Sequence, residues 1–317
     1  MKIVFMGTPD FAVETLRGIA KAGHEILGVV TQPDKPKGRG KALQPTPVKA
    51  AAKGLGLPVY QPENVKDLKF VEMLKGLNPD VIVVVAFGQL VSKEILEIPP
   101  YGCLNVHASL LPSYRGAAPI QWAVIRGEKE SGVTIMRMDE GLDTGDMLAK
   151  KTVRLETGET GGSLFDRLSV LGAGLLVETL EKAAAGTVTA VPQPAESPTP
   201  YASMIKKSMG RIEWEQKAGQ IERLTRGLDP WPSAFTRLNG KTLKIFKSCV
   251  CDPPDMGCLD GEDIRPGQVL ETDKAGIYVK CGQGCLRIEE LQLEGKKRMA
   301  AADFLRGCQI TEGTVLS

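Results

Sequence analysis

Asn105 and His107 stand two residues apart in the run Cys103-Leu104-Asn105-Val106-His107, where an apolar, strand-like segment gives way to Ser109, Pro112, Ser113 and Gly116. Side chains alternate along a strand, so the carboxamide and the imidazole share a face. The residues that follow belong to turns and loops, which puts the pair where the strand ends. In an open α/β sheet the carboxyl ends of the strands overhang the crevice in which ligands bind. The Asn105 NH₂ group is a donor for a carbonyl oxygen, and His107 exchanges a proton near neutral pH. Such a pair suits attack on a carbonyl through a tetrahedral oxyanion. On its own it fits equally well an Asn closing a turn and a His satisfied in the core.

The elements needed to hold the pair are present in the pattern. Residues 2–6 read as a buried strand, 7–10 as a turn, 11–22 as a helix ended by Gly23, and 26–30 as a second strand. This β-α-β opening implies a parallel sheet with a right-handed crossover. Gly7-Thr8-Pro9 lacks the spaced glycines of a dinucleotide fingerprint, and no P-loop is present. Helices are expected at 46–53 and 68–77, and a short strand at Val59-Tyr60. Asp80-Val81-Ile82-Val83-Val84-Val85 is a continuous apolar run and reads as a central parallel strand, with 86–90 at its carboxyl end. A helix at 117–125, a strand at 132–138, a hairpin return at 147–153 and a long helix at 163–185 complete the first domain.

From 187 to 200 the chain is proline-rich and polar, the composition of a semi-rigid linker. Beyond it, short alternating segments at 233–238, 242–248, 267–271, 276–280 and 285–293 predict a small antiparallel β domain, with helices at 218–228 and 300–307. The expected fold is therefore α/β: a Rossmann-like, mostly parallel sheet with helices, then a small C-terminal β-barrel like an oligonucleotide-binding fold. The expected division is a catalytic domain at 1–186, a linker at 187–206 and a β-barrel domain at 207–317.

The chain has 317 residues with 42% hydrophobic content, enough for a large core, and a formal net charge of +2. Near neutrality, any nucleic-acid affinity has to come from clusters. One lies in 31–41, where Lys35, Lys37, Arg39 and Lys41 face a single acid, Asp34, among prolines and glycines. Such a stretch is either a solvated surface loop or an arm that tracks phosphates. Its place after the second parallel strand, on the ligand-facing edge, favours the arm. Lys206, Lys207 and Arg211 stand at the entrance to the β domain, and Lys296-Lys297-Arg298 form a further group. Arg237, Lys241, Lys244 and Lys247 alternate along its strands, which also suits protection of a sheet edge.

Seven cysteines, an odd number, argue against a disulfide framework. Cys249, Cys251 and Cys258, with Cys281 and Cys285 further on, lack the paired spacing of zinc ribbons, so no metal is expected. No secretory leader pattern and no apolar run of spanning length are visible, and a cytoplasmic, non-membrane protein is expected.

The stretch Asn105-Val106-His107-Ala108-Ser109-Leu110-Leu111-Pro112, with Tyr114-Arg115-Gly116-Ala117-Ala118-Pro119-Ile120, resembles a signature of the folate-dependent formyltransferases. Asp139-Glu140-Gly141-Leu142-Asp143-Thr144-Gly145-Asp146 resembles the family's second signature. The resemblance implies catalytic roles for Asn105, His107 and Asp143, with Asp143 pairing with His107 and orienting its ring. It also implies 10-formyltetrahydrofolate as formyl donor, held by Ser109, Leu110, Leu111 and Pro112 together with Phe87, Gly88, Leu90 and Asp139. The Gly7-Thr8-Pro9-Asp10 start, the 31–34 loop entry, Ile212-Glu213-Trp214 and Pro230-Trp231-Pro232 resemble the branch whose acceptor is initiator methionyl-tRNA. In that branch Lys35, Lys37, Arg39, Lys41, Lys206 and Lys207 would hold the tRNA, and the enzyme would act as a monomer.

Overall fold

The computed structural model describes residues 1–37, 42–252 and 264–317. The chain opens with β1 (Lys2–Gly7), α1 (Asp10–Lys21) and β2 (Glu25–Val30), then a short hairpin of β3 (Lys35–Lys37) and β4 (Ala42–Gln44). It continues through α2 (Pro47–Gly54), β5 (Val59–Tyr60), α3 (Leu68–Leu77), β6 (Val81–Val85), α4 (Lys93–Leu96) and β7 (Cys103–His107). After these come α5 (Pro119–Arg126), β8 (Glu130–Arg137), β9 (Met147–Arg154) and the long α6 (Gly161–Ala184).

These strands form a seven-stranded sheet in the order β5-β2-β1-β6-β7-β8-β9. Pairing is parallel from β5 to β7 and antiparallel across β8 and β9. The centre is apolar on both faces because helices cover both: Ile3, Val4, Phe5 and Met6 of β1 and Val81, Ile82, Val83 and Val85 of β6 are fully buried. Connections from β1 run to β2 on one side and, by a longer path, to β6 on the other. That reversal is the switch point where an open sheet forms its crevice. The loops flanking it are tied together, since the Thr8 hydroxyl donates to the Phe87 carbonyl at 2.8 Å and the Gln32 amide reaches the same oxygen at 3.3 Å.

The chain divides into two compact units. Unit 1 holds Met1–Pro119, Glu130–Arg154 and Phe165–Ala202, and unit 2 holds Ile120–Lys129, Leu155–Leu164 and Ser203–Ser317. Residues up to Ala202 group with unit 1, where Val191 and Met147 exchange two backbone hydrogen bonds of 2.9 Å.

Unit 2 contains α7 (Ala218–Gly227), β10 (Ala234–Leu238), β11 (Lys241–Cys251), β12 (Val269–Thr272), β13 (Ile277–Lys280), β14 (Cys285–Leu293), β15 (Met299–Ala300) and α8 (Ala301–Gly307). The sheet order is β10-β11-β14-β13-β12, with β15 added on β14. Asn239 and Gly240, at φ 50° and 78°, form the two-residue turn that joins β10 to β11, as their residue types favour. The two ends of the sheet, β10 and β12, are linked by the C-terminal tail. Leu316 donates to Gly267 at 2.8 Å, Val269 donates to Thr314 at 2.8 Å, and Arg237 donates to Ser317 at 2.8 Å. A tail without strand periodicity therefore closes the barrel, which segment counting could not anticipate.

Leu243, Ile245, Val279, Ile288 and Leu291 fill this barrel with no exposed surface. Shortening Ile288 to alanine is expected to destabilise the protein by about 2–5 kcal/mol, because the closed sheet restricts collapse around the gap. Urea unfolding measures it, and a change below about 1 kcal/mol would contradict the packing described.

Candidate active site

The site is assembled on β7. Asn105 pairs with Val84 of β6 on one side and Met136 of β8 on the other, and His107 pairs with Thr134 of β8. Val106, between them, points to the opposite face, where Gly172 of α6 lies so close that a Cβ there would come within 2.8 Å of the Val106 side chain. A small residue in the helix thus seats the strand, and alternation turns Asn105 and His107 together to the other face. His107 is only 6% exposed.

Asp143 arrives on the loop between β8 and β9. That loop is closed by Arg137, whose guanidinium meets Asp146 at 2.6 Å, and by Asp139, which accepts from Gly141 N at 3.0 Å and Thr144 Oγ1 at 2.8 Å. Gly145 is required, because a Cβ there would lie 1.8 Å from the Arg137 carbonyl. Asp143 itself sits at φ 56°. This left-handed conformation costs on the order of 1 kcal/mol and is tolerated best by Asp and Asn after Gly.

The strained residue brings its carboxylate into the centre. Oδ2 accepts from Gly116 N at 2.9 Å, while Oδ1 lies 3.4 Å from Asn105 Nδ2 and 3.6 Å from His107 Nδ1. The other imidazole nitrogen, Nε2, lies 3.1 Å from the Tyr114 carbonyl. Both ring nitrogens therefore face oxygen acceptors, and the ring is held in one plane. Asn105 has a second N–H beyond the one turned to Asp143, a donor for an oxygen that develops charge. The longer distances at Oδ1 are of the kind that tighten when a substrate binds.

The loop after β7 is fixed from beneath. Thr134 Oγ1 donates to the Ser109 carbonyl at 2.7 Å and accepts from Leu111 N at 3.1 Å, and Lys150 Nζ donates to the Leu111 carbonyl. Ser109 Oγ donates to the Ser113 carbonyl at 2.6 Å. Leu111 packs with Met136 and Met147. Leu110 and Pro112 are half-buried. In the loop after β6, Phe87 places its ring in the core at 2% exposure, Gly88 adopts φ 87°, and Leu90 is 64% exposed. Asp139 is exposed.

The basic positions divide. Lys35 is exposed on β3 and Lys37 ends that strand, whereas Arg39 and Lys41 lie outside the described residues. Within the stretch expected as a loop, Lys35–Lys37 form a strand that pairs with β4, Lys35 opposite Gln44 and Lys37 opposite Ala42. Its root is anchored by Asp34, which meets Lys49 Nζ at 2.6 Å and Gln61 Nε2 at 2.8 Å; the Lys49 hydrogen bond first, then that of Gln61, holds its carboxyl below the usual carboxylate range. Lys206 and Lys207 are exposed at a 3-10 turn, Lys207–Gly210. By contrast, Lys247 pairs with Glu289 at 3.1 Å, and Arg298 pairs with Glu290 at 2.7 Å while stacking 4.2 Å from the Phe246 ring centre. Among the described residues no three His, Cys, Asp or Glu side chains form a metal-binding group. Burial pushes the Cys281 and Cys285 thiols up to about 12, and Cys258 lies outside the described residues. Also among the described residues, no helix is long and apolar enough to cross a membrane.

Two residues near Asp143 carried no signal in the sequence beyond their types. Arg115 is 9% exposed, and Gln193 comes from the stretch expected to be a linker. Arg115 Nε and Nη2 donate to Gln193 Oε1 at 3.1 and 3.0 Å. An arginine inside a signature loop was the available hint, while its partner lies in a segment with no periodicity.

The fold has counterparts among known proteins. A family model described as formyl transferase matches residues 1–180, and one described as formyl transferase, C-terminal domain, matches residues 204–309. Among solved structures, WlaRD, a sugar 3N-formyl transferase, matches with TM-score 0.64 at 19% identity, over 94% of this chain and 99% of that one. HypX from Aquifex aeolicus, in complex with tetrahydrofolic acid, matches with TM-score 0.63 at 20% identity, over 96% of this chain and 47% of that one. At these identities the likeness is one of fold. The sequence is 56% identical to the methionyl-tRNA formyltransferase of Agathobacter rectalis over 314 residues, 99% of each chain. It is 51% identical to that of Geobacter metallireducens over 313 residues, 99% of this chain and 97% of the relative. The chain belongs to the formyl transferase family, among the methionyl-tRNA formyltransferases.

Proposed function

We propose that this chain transfers a formyl group from 10-formyltetrahydrofolate to the α-amine of methionine carried on initiator tRNA. The observation that carries the chemistry is the meeting of Asn105, His107 and Asp143, at 3.4 and 3.6 Å to one carboxylate oxygen. A neutral amine that attacks a formyl carbonyl forms a C–N bond and an oxyanion. The bond from the formyl carbon to the folate nitrogen then breaks, the amine loses one proton and the folate nitrogen gains one. Asn105 donates to the oxyanion through its second N–H. We assign to His107, held in orientation by Asp143, the support of the same oxygen or the relay of the proton. The folate is bound by Ser109, Leu110, Leu111 and Pro112, by the backbone around Phe87 and Gly88, and by Leu90 and Asp139. Support comes from the backbone geometry there: Ala86 and Gly88 both have positive φ, which turns main-chain groups outward for a flat ring.

Formyl transfer measured with charged initiator tRNA, with free methionine and with water as acceptors tests this reading. Transfer to the charged tRNA far above the other two is expected. Turnover to water equal to turnover to tRNA would identify a formyl-folate hydrolase instead.

The assignment gives unit 1 the chemistry and unit 2, with the β3–β4 hairpin, the holding of tRNA. A cytoplasmic monomer suffices, because no residue of the cluster has to come from a second copy. Neutralising Lys35, Lys37, Arg39 and Lys41 together is expected to raise KM for tRNA and flatten its salt dependence. Each phosphate that the protein no longer neutralises should reduce the log–log slope by about 0.7–0.9. An unchanged slope would return these residues to a solvated surface.

A further inference from the structure

The left-handed turn at Asp143 is held from behind by one side chain. Gln193 Nε2 donates to the Asp143 carbonyl at 2.9 Å and to the Gly145 carbonyl at 2.7 Å. Gln193 Oε1 accepts the two Arg115 hydrogen bonds described above, and Arg115 reaches on to the Pro194 carbonyl at 2.7 Å and the Ala195 carbonyl at 3.0 Å. Arg115 directly precedes Gly116, whose N–H binds the Asp143 carboxylate at 2.9 Å. The two signature loops are therefore joined twice, once through the carboxylate and once through the Gln193 amide.

The segment around Gln193 is itself anchored along its length. Ser197 Oγ donates to the Pro112 carbonyl at 2.8 Å, Thr199 Oγ1 accepts from Tyr114 N at 2.6 Å, and Ala202 N donates to the Arg115 carbonyl at 2.8 Å. This strap follows the loop that precedes Gly116 and delivers a single amide to the loop that carries Asp143. The chemistry of the position requires an amide, because one end must donate twice and the other must accept twice.

We propose that Gln193 is a positioning residue for formyl transfer. It acts on Asp143 through the main chain and is fixed in turn by Arg115. The proposal rests on the reading of Asp143 as a member of the catalytic cluster. Without Gln193 the two carbonyls are deprived of their donor, and the loop relaxes away from the conformation that aims the carboxylate at His107 and Asn105. Displacements of about 1 Å in such a group reduce turnover by up to about 10²-fold.

Gln193→Leu removes both halves of the clasp. Gln193→Glu keeps the acceptor for Arg115, adding an ion pair, but abolishes both donations and sets carboxylate oxygens against the Asp143 and Gly145 carbonyls. Both variants, in the full-length chain, are expected to lower kcat by about 10–100-fold. KM for tRNA and for the formyl donor should stay within about threefold, as only interactions realised in the transition state are weakened. Gln193→Leu combined with Asp143→Asn should be no slower than Asp143→Asn alone, since one residue acts through the other. A purely structural role would instead lower the melting temperature, and its kinetic effect would multiply with that of Asp143→Asn. Should the leucine variant prove unstable, the glutamate variant carries the same comparison. Turnover within about twofold of the parent in a folded Gln193→Glu chain, or a multiplicative double variant, overturns the proposal. Full turnover in Asp143→Asn itself overturns the reading of the site, a separate and distinguishable outcome.

Discussion

Replacing His107 with alanine is expected to lower kcat for tRNA formylation by about 10²–10⁴-fold, with little change in affinity for the folate donor. The ring lies between Asp143 and the Tyr114 carbonyl, so its removal takes away the partner of the carboxylate and, in the proposed mechanism, a group that supports the oxyanion. The loop proposed to hold the folate has independent supports in Thr134 and Lys150, which is why binding should survive. The gap left by a residue 6% exposed will also cost stability, so turnover should be compared under conditions where both proteins are fully folded. His107→Gln, closer in size, checks that the effect follows the imidazole and not the cavity. Turnover near that of the parent in either variant would remove His107 from the mechanism.

The second large effect is expected from Asp143→Asn, a decrease of comparable size with the fold intact. Asparagine is among the few residues that accept the left-handed backbone found at this position, so the substitution changes charge and hydrogen bonding while sparing the turn. The carboxylate accepts from Gly116 N and faces donors on Asn105 and His107. An amide oxygen takes the place of either Oδ2 or Oδ1, and the NH₂ group is then turned to Asn105 and His107 or to Gly116 N. Either the loop or the imidazole is then misdirected. Steady-state kinetics beside a thermal melt separates the two components. A slow enzyme with an unchanged melt supports the orienting role, and a fast one removes it.

Much of unit 1 was legible because its strands are buried on both faces and read as unbroken apolar runs. Val81–Val85 is the clearest case, and Leu68–Leu77 and Cys285–Leu293 were recognisable to the residue. The Asn105 and His107 pair was visible as types at strand spacing, although the motif rather than the spacing gave it weight. What stayed hidden are pairings made far along the chain by segments without periodicity. Gln193 meets Asp143 across 50 residues, and the barrel of unit 2 is closed by a tail that carries no strand pattern. Proline and polar composition said that residues 187–200 form neither helix nor strand, which holds for nearly all of them, but composition does not say whether a segment is docked. A chain stopped at Gly186, the expected domain border, would lack Gln193, Ser197 and Thr199 together. Phe87, in a segment expected to offer its backbone to the ligand, has its ring in the core, a placement that the sequence did not specify.

The strap has a consequence for the order in which this protein becomes active as it is made. Synthesis delivers the chain from its N-terminus; every strand of the seven-stranded sheet has been added by Arg154, and α6, which seats β7, by Ala184. Asn105, His107 and Asp143 are all available by then. Gln193 and the anchors up to Ala202 are not, and at about 5–20 residues per second they follow about 0.5–4 s after Ala184. During that interval a nascent chain holds the framework and the proposed reacting groups with the Asp143 turn still unclasped. If Gln193 positions Asp143 as proposed, turnover is thus the last property of unit 1 to mature.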